Sequence, residues 1–193
     1  MRYLNDHYYH VYNRGAHKKK IFFDEENYLY LISLFKKYSS QYNVNIVAYC
    51  LMPNHYHLIL QQKDGSKIGN FLKTTFNAYT QAINKRYGHS GTLFQGQCKS
   101  KHIDSDEYCL QVIRYVHHNP LSAHLVFSLR EWQFSNYLEW IGARQGILAD
   151  FELRNSFFKT PLEYEKFVEE YNAKVERAKI EKFLPDQGTL SRL

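Results

Sequence analysis

Cysteine is scarce in this chain. Cys50, Cys98 and Cys109 are the three present in 193 residues, and no two share C-x-x-C spacing. A scattered odd set argues against a disulfide framework and against a zinc ribbon, and it fits a reducing cytoplasm. Long apolar runs are also missing. Met1 to His10 is polar and aromatic, so it lacks the apolar centre of a signal peptide. No uninterrupted apolar stretch approaches bilayer-spanning length, and no membrane partner is expected. Repeats at solenoid periods and low-complexity tracts are absent too. Acidic charge is in deficit, with 19 Asp and Glu against 25 Lys and Arg and a formal net charge of +6. That balance suits a polyanion such as nucleic acid, and it equally suits a mildly basic solvated surface.

What is abundant is core material. Hydrophobic residues make up 44% of the chain and aromatics 17%, with 17 Tyr and 13 Phe, which places it among globular proteins. The length predicts one domain with a helical tail. Residues 1–145 are expected to form that domain and residues 146–193 an extension, partly helical.

The residue pattern predicts the elements. His7 to Asn13 alternates and is rich in Tyr and Val, as a strand does. Asp24 to Ser40 carries Tyr28, Leu31, Ile32, Leu34, Phe35 and Tyr38 at helical spacing, with acids in the first turn. Val44 to Met52 and His55 to Gln61 read as strands around a tight turn at Pro53-Asn54. Ser66 to Tyr87 reads as a second long helix, stopped by Gly88. Leu93 to Ile103 is expected as a strand. Asp104 to Asn119 is expected as a third helix, capped by Asp104 or Ser105 and ended by Pro120. Pro161 to Phe183 reads as an amphipathic helix in the extension. The order strand, helix, strand, strand, helix, strand predicts an α+β fold of the ferredoxin-like, split βαβ kind: an antiparallel sheet with two helices on one face.

The chemistry centres on Met52-Pro-Asn-His-Tyr-His-Leu-Ile-Leu60. Alternation along a strand sends His55 and His57 to one face, about 6.6 Å apart at a rise of about 3.3 Å per residue. Two imidazoles at that spacing can converge on one divalent ion, although a bare His-x-His more often marks two surface histidines. The later helix carries Tyr115 and, one turn on, Asn119. Asn119 can supply an amide oxygen as a third ligand, a donor that suits Mg²⁺ or Mn²⁺; it can equally act as a helix cap before Pro120. Tyr115 is one of many tyrosines, so packing is the competing explanation for it. His117 and His118 could enter the metal shell or bind phosphate. The stretch Lys85 to His102 holds Lys85, Arg86, Lys99 and Lys101 with no acid, interleaved with Tyr87 and Phe94. Cations there can pair with phosphates while bases stack on the rings. Asn13, Arg14 and the loop Lys18, Lys19 and Lys20 form a second candidate DNA contact.

These motifs, read together, resemble one family. His10-Val-Tyr-Asn-Arg-Gly15, Met52-Pro-Asn-His-Tyr-His-Leu58, Gly91-Thr-Leu-Phe-Gln95 with Lys99-Ser100, Arg114-Tyr-Val-His-His-Asn-Pro120, Trp132-Gln-Phe-Ser-Asn-Tyr137 and Gly142 occur in that order. The chain resembles the IS200/IS605-type single-tyrosine transposases of the HUH class, in particular their REP-associated branch. The resemblance implies an HUH endonuclease-type fold, with His55, His57 and Asn119 as metal ligands and Tyr115 as nucleophile. It implies Mg²⁺ or Mn²⁺ as cofactor, and nicking and rejoining of single-stranded DNA beside hairpins through a covalent 5′-phosphotyrosine. It implies a monomer or homodimer working on DNA in the cytoplasm. A two-tyrosine mechanism is disfavoured, because positions 118 and 119 are His and Asn. The alternatives are a domesticated hairpin-binding protein without mobility and a metal hydrolase that activates water, although the zinc signature H-E-x-x-H is absent.

Overall fold

The protein is described from a computed structural model, which covers residues 3–146, 148, 150–172, 178 and 180–184. Four strands, β1 (Tyr8–Arg14), β2 (Asn45–Met52), β3 (His55–Gln61) and β4 (Lys99–Ile103), form one sheet in the order β2-β3-β1-β4. Every neighbouring pair is antiparallel. β3 lies between β1 and β2, so the first β-α-β unit is split, as the sequence pattern predicts.

Helices α1 (Glu25–Gln41) and α2 (Ile68–Tyr87) share one face of the sheet. Asp24 caps α1 by accepting from Asn27 N at 3.0 Å, and Glu25 and Glu26 favour its positive end. The apolar positions of both helices bury Leu31, Leu34, Phe35, Phe71, Leu72 and Ile83 against Tyr9, Val11, Tyr49, Leu51, Tyr56, Leu58 and Leu60 of the strands.

The opposite face is covered by α3 (Asp106–Ser122). Ser105 caps it, accepting from Tyr108 N at 3.2 Å. Cys109, Val112, Ile113 and Val116 of α3 pack on Cys50, Met52 and Ile59. The bulge at Val47 between Ile46 and Ala48 adds a residue to this face, and its carbonyl accepts from Asn136 Nδ2 at 3.0 Å and Trp140 Nε1 at 3.1 Å. Three short helices, α4 (Tyr137–Trp140), α5 (Glu152–Phe157) and α6 (Pro161–Glu169), complete the layer. Leu153, Tyr164, Val168, Tyr171, Ile180, Phe183 and Leu184 enter the same apolar cluster as α3. The two helices expected on one face are there; the sheet is covered on its other side as well.

Three expected boundaries move by more than two residues. Residues 93–98 are not a strand; Gly91 and Gly96 turn the chain with φ of 95° and 69°, and Phe94 makes a single bridge to Gly15. α3 runs through Pro120 to Ser122, because a proline in the last turn forfeits one backbone bond and little follows it to disrupt. The helix expected over Pro161 to Phe183 stops at Glu169, and residues 173–177 and 179 of that stretch lie outside the described residues. Among the described residues, no helix is long and apolar enough to cross a membrane.

Candidate active site

Strand alternation sorts the site. Tyr56 and Leu58 enter the α1/α2 cluster, and His55, His57 and Ile59 face α3. The ring centroids of His55 and His57 lie 5.2 Å apart with their planes near perpendicular. Tyr115, from the middle of α3, sets its ring 5.6 Å from His57 in an edge-on contact. The paired imidazoles and the phenol therefore meet within one chain. Tyr115 is 8% exposed and His55 7%, so the site is closed mostly by protein.

A third imidazole, His10 of β1, shares the site. It lies fully buried with its centroid 5.1 Å from His57 and 6.5 Å from Tyr115. His10 Nε2 and His57 Nδ1 are 2.8 Å apart, and His10 Nδ1 lies 2.7 Å from the Phe183 carbonyl. Burial lowers the pKa of His10 to about 4, and Lys101 adds to the effect. Burial likewise lowers His55 to about 4, with Arg14 contributing. His55 Nδ1 lies 2.6 Å from Asn54 Oδ1. Neutral imidazoles are the form that binds metal ions.

Asn119 follows Tyr115 by one turn, and its Nδ2 donates to the Tyr115 carbonyl at 2.9 Å. That bond commits the amide nitrogen along the helix and leaves the oxygen as the atom a cation could take. Among the described residues, no three His, Cys, Asp or Glu side chains are grouped to hold a metal ion alone. A divalent ion here needs a donor of another type beside the two imidazoles, and the Asn119 oxygen has the right chemistry for Mg²⁺ or Mn²⁺.

His117 and His118 belong elsewhere. Fully buried His117 has both nitrogens engaged, with Tyr164 Oη at 2.6 Å and Asn136 Oδ1 at 2.9 Å. Asn136 Oδ1 also accepts from Tyr49 N at 2.8 Å. The Trp132 to Tyr137 motif thus ties α3 to β2 and α6. His118 pairs with Ser122 Oγ at 2.8 Å and packs on Tyr171 at 4.6 Å.

The candidate DNA contacts separate into two groups. Lys99 and Lys101 pair in register with Tyr12 and His10, so they share the histidine face. Lys101 Nζ donates to the Leu184 carbonyl. Arg14 lies opposite His55 in register, and its Nε donates to Gln95 Oε1. Asn13 is buried and holds the glycine loop, donating from Nδ2 to the Gly96 carbonyl at 3.1 Å. Exposed Lys18, Lys19 and Lys20 border the same end, because Gly15 N donates to the Asn54 carbonyl at 2.8 Å and Ile21 N to the Pro53 carbonyl at 2.9 Å. Gly15 admits no side chain: a Cβ there would sit 2.0 Å from the Lys19 carbonyl oxygen. Lys85 and Arg86 instead end α2 on the opposite layer, where Arg86 pairs with Asp24 at 3.0 Å and Glu26 at 2.5 Å.

Sequence reasoning missed His10 and Asn54. His10 reads along the chain as part of an aromatic strand, although its period-two alternation with Tyr12 marks the face it shares. Asn54 reads only as a turn residue.

Comparison with known proteins places the chain in a family. The family described as "Transposase IS200 like" matches residues 3–119. The structure of a REP-associated tyrosine transposase bound to a REP hairpin superposes with a TM-score of 0.64 at 15% identity, covering 79% of this chain and 93% of that one. Its fold is shared. A Deinococcus radiodurans protein assigned as a transposase gives a TM-score of 0.44 at 19% identity over 61% of this chain and 94% of that one. The tRNA(His) guanylyltransferase of Saccharomyces cerevisiae gives 0.43 at 13% identity over 95% of this chain and 83% of that one. Scores that low bear on nothing further. No curated protein matches the chain.

Proposed function

The chain belongs to the IS200-like transposase family, and from that premise we propose that it nicks and rejoins single-stranded DNA through Tyr115. The reading rests on one observation: Tyr115 lies 5.6 Å, ring to ring, from His57 of the same chain. His55 and His57 would hold a divalent cation, with the Asn119 oxygen as a further donor. When bound, Mg²⁺ or Mn²⁺ polarises the scissile phosphate and offsets its developing charge.

The chain's own residues do the rest. The Tyr115 oxygen attacks phosphorus in line, the bond from phosphorus to the 3′ oxygen breaks, and that oxygen leaves as a 3′-hydroxyl with a proton. The product is a 5′-phosphotyrosine. Attack by a 3′-hydroxyl on that linkage reverses the step, so no energy-rich cofactor is needed. A phenol ordinarily ionises near pH 10, so the Tyr115 proton must leave as the new bond forms; Arg14, Lys99 and Lys101 share this face of the sheet. The same cations offer phosphate contacts for the incoming strand. The hairpin carried by the structural relative supports a substrate with a hairpin beside the single strand. Because the imidazoles and the phenol come from one chain, a second copy is not required for chemistry.

The test uses a single-stranded hairpin oligonucleotide labelled at its 5′ or 3′ end, with Mn²⁺, resolved on a denaturing protein gel. The 3′ label moves onto the protein, the 5′ label leaves as a shorter free strand, and Tyr115→Phe abolishes the adduct. Cleavage with no adduct would mean that water is the nucleophile and would overturn the reading.

A further inference from the structure

Two hydrogen-bond chains end on the imidazole pair from outside its strand. One begins at the backbone carbonyl of Phe183, which can only accept. His10 Nδ1, 2.7 Å away, therefore carries a proton. His10 is neutral in full burial, so its Nε2 holds a lone pair. That lone pair faces His57 Nδ1 at 2.8 Å, and His57 must supply the proton between them. The other chain begins at the Lys18 carbonyl, which accepts from Asn54 Nδ2 at 3.3 Å. This fixes which end of the amide is nitrogen. Asn54 Oδ1 then faces His55 Nδ1 at 2.6 Å and accepts from it.

We propose that His10 and Asn54 are positioning residues that lock His57 and His55 in the same tautomer, with the proton on Nδ1 and the lone pair on Nε2, ready to take a divalent cation. Metal-bound imidazoles generally donate their second nitrogen to an outer partner, which fixes ring orientation and tautomer. Here the two partners differ in origin. Asn54 belongs to the turn that starts the histidine strand. His10 belongs to the neighbouring strand, and it is set in turn by the segment Ile180 to Leu184. That segment is anchored beside the site: Lys101 grips the Leu184 carbonyl, Lys182 pairs with Asp104 at 3.1 Å, and the Phe183 ring packs on Tyr108 at 5.2 Å. The segment Ile180 to Leu184 therefore helps prepare the ligand. The opposite tautomer of His57 would set two lone pairs against each other across the 2.8 Å contact with His10.

The inference rests on the metal reading of His55 and His57, and the experiment separates the two. Full-length protein labelled with ¹⁵N-histidine is examined without metal by long-range ¹H–¹⁵N correlation, which reads each imidazole's tautomer directly. His10, His55 and His57 should all show a protonated Nδ1 and a bare Nε2. A proton on Nε2 of His55 or His57 would overturn the inference, and this reading needs no variant. Mn²⁺ affinity is then measured by electron paramagnetic resonance for wild type, His10→Phe, Asn54→Ala and Asn54→Asp, with metal-free melting as the check on folding. The first two should bind about 10- to 100-fold more weakly. Asn54→Asp, which still accepts from His55, should stay near wild type. A folded His10→Phe or Asn54→Ala protein that binds Mn²⁺ as wild type does would overturn the inference. Failure of wild type to bind Mn²⁺ would instead bring down the metal reading itself.

Discussion

The two faces of one sheet differ in what they bury. Toward α1 and α2 the strands send Tyr9, Val11, Tyr49, Leu51, Tyr56, Leu58 and Leu60, and rings stack there at short range: Tyr56 on Phe76 at 4.3 Å, Tyr28 between Phe22 at 4.0 Å and Phe134 at 3.9 Å. Toward α3 the same strands send His10, Tyr12, His55 and His57, and α3 answers with Tyr115. β3 serves both at once, because successive residues take opposite sides. Burying polar rings is costly unless each finds a partner. The α1/α2 face is apolar and aromatic throughout, whereas the α3 face sets its imidazoles beside an apolar cluster of its own around Cys50, Met52, Ile59, Val112 and Val116.

The largest contrast should come from one substitution on each side. Tyr115→Phe should remove the DNA adduct completely in the labelled-oligonucleotide assay, while equilibrium urea unfolding shifts by about 1 kcal/mol or less, the scale of one hydroxyl's hydrogen bonding. Leu58→Ala, at a position with no exposure, should cost about 2–5 kcal/mol in the same unfolding experiment. Its adduct formation per folded molecule should stay near wild type. If Leu58→Ala lost adduct formation while folded, the division of labour between the faces would be wrong.

Acid should act on the faces unequally, with a smaller effect. Burial lowers His10, His55, His117 and His118 to about 4, with Lys101, Arg14 and Arg114 assisting in three of them, and all four side chains lie on the α3 side. In the unfolded chain a histidine titrates near 6.5. Between pH 6.5 and about 4 the unfolded state binds more protons, so stability is full above pH 6.5 and falls as the pH drops through that window. Amide hydrogen exchange on metal-free protein should show α3 losing protection first over this range and α1 and α2 holding longer. Uniform loss across all three helices would contradict the asymmetry.

Much of this was legible beforehand, and the gaps have physical reasons. β3 is legible at both ends because the Pro53-Asn54 turn precedes His55 and the apolar run Leu58-Ile59-Leu60 gives way to Gln61. α1 was placed to within a residue by its acidic start and apolar spacing. The strand expected over Leu93 to Ile103 forms only from Lys99, because glycines at 91 and 96 adopt left-handed backbone that local apolar content does not reveal. The proposed site residues His55, His57 and Tyr115 follow from alternation and motif order. His10 does not, since its importance depends on a partner 47 residues away and another 173 residues away. Long-range register is what a single sequence conveys least. The tail posed the same difficulty: Phe183 contributes to the site through its backbone carbonyl, a group every residue has.

The smallest expected effect concerns charge. Lys85 and Arg86 looked as suitable for DNA as Lys99 when read along the chain, since all lie in one acid-free stretch. Folding separates them, leaving Lys99 on the histidine face and Arg86 tied to Asp24 and Glu26 at the start of α1. Each phosphate contact to a single strand contributes about 0.7 to the slope of log affinity against log salt. Lys99→Ala should therefore weaken binding of the hairpin oligonucleotide and flatten that slope by about 0.7, measured by fluorescence anisotropy from low to moderate salt. Lys85→Ala should leave both unchanged, and Arg86→Ala should alter melting slightly without touching the slope. Equal slopes for Lys99→Ala and wild type would move the DNA track off the histidine face, and a flattened slope for Lys85→Ala would carry it across the edge of the sheet toward α2.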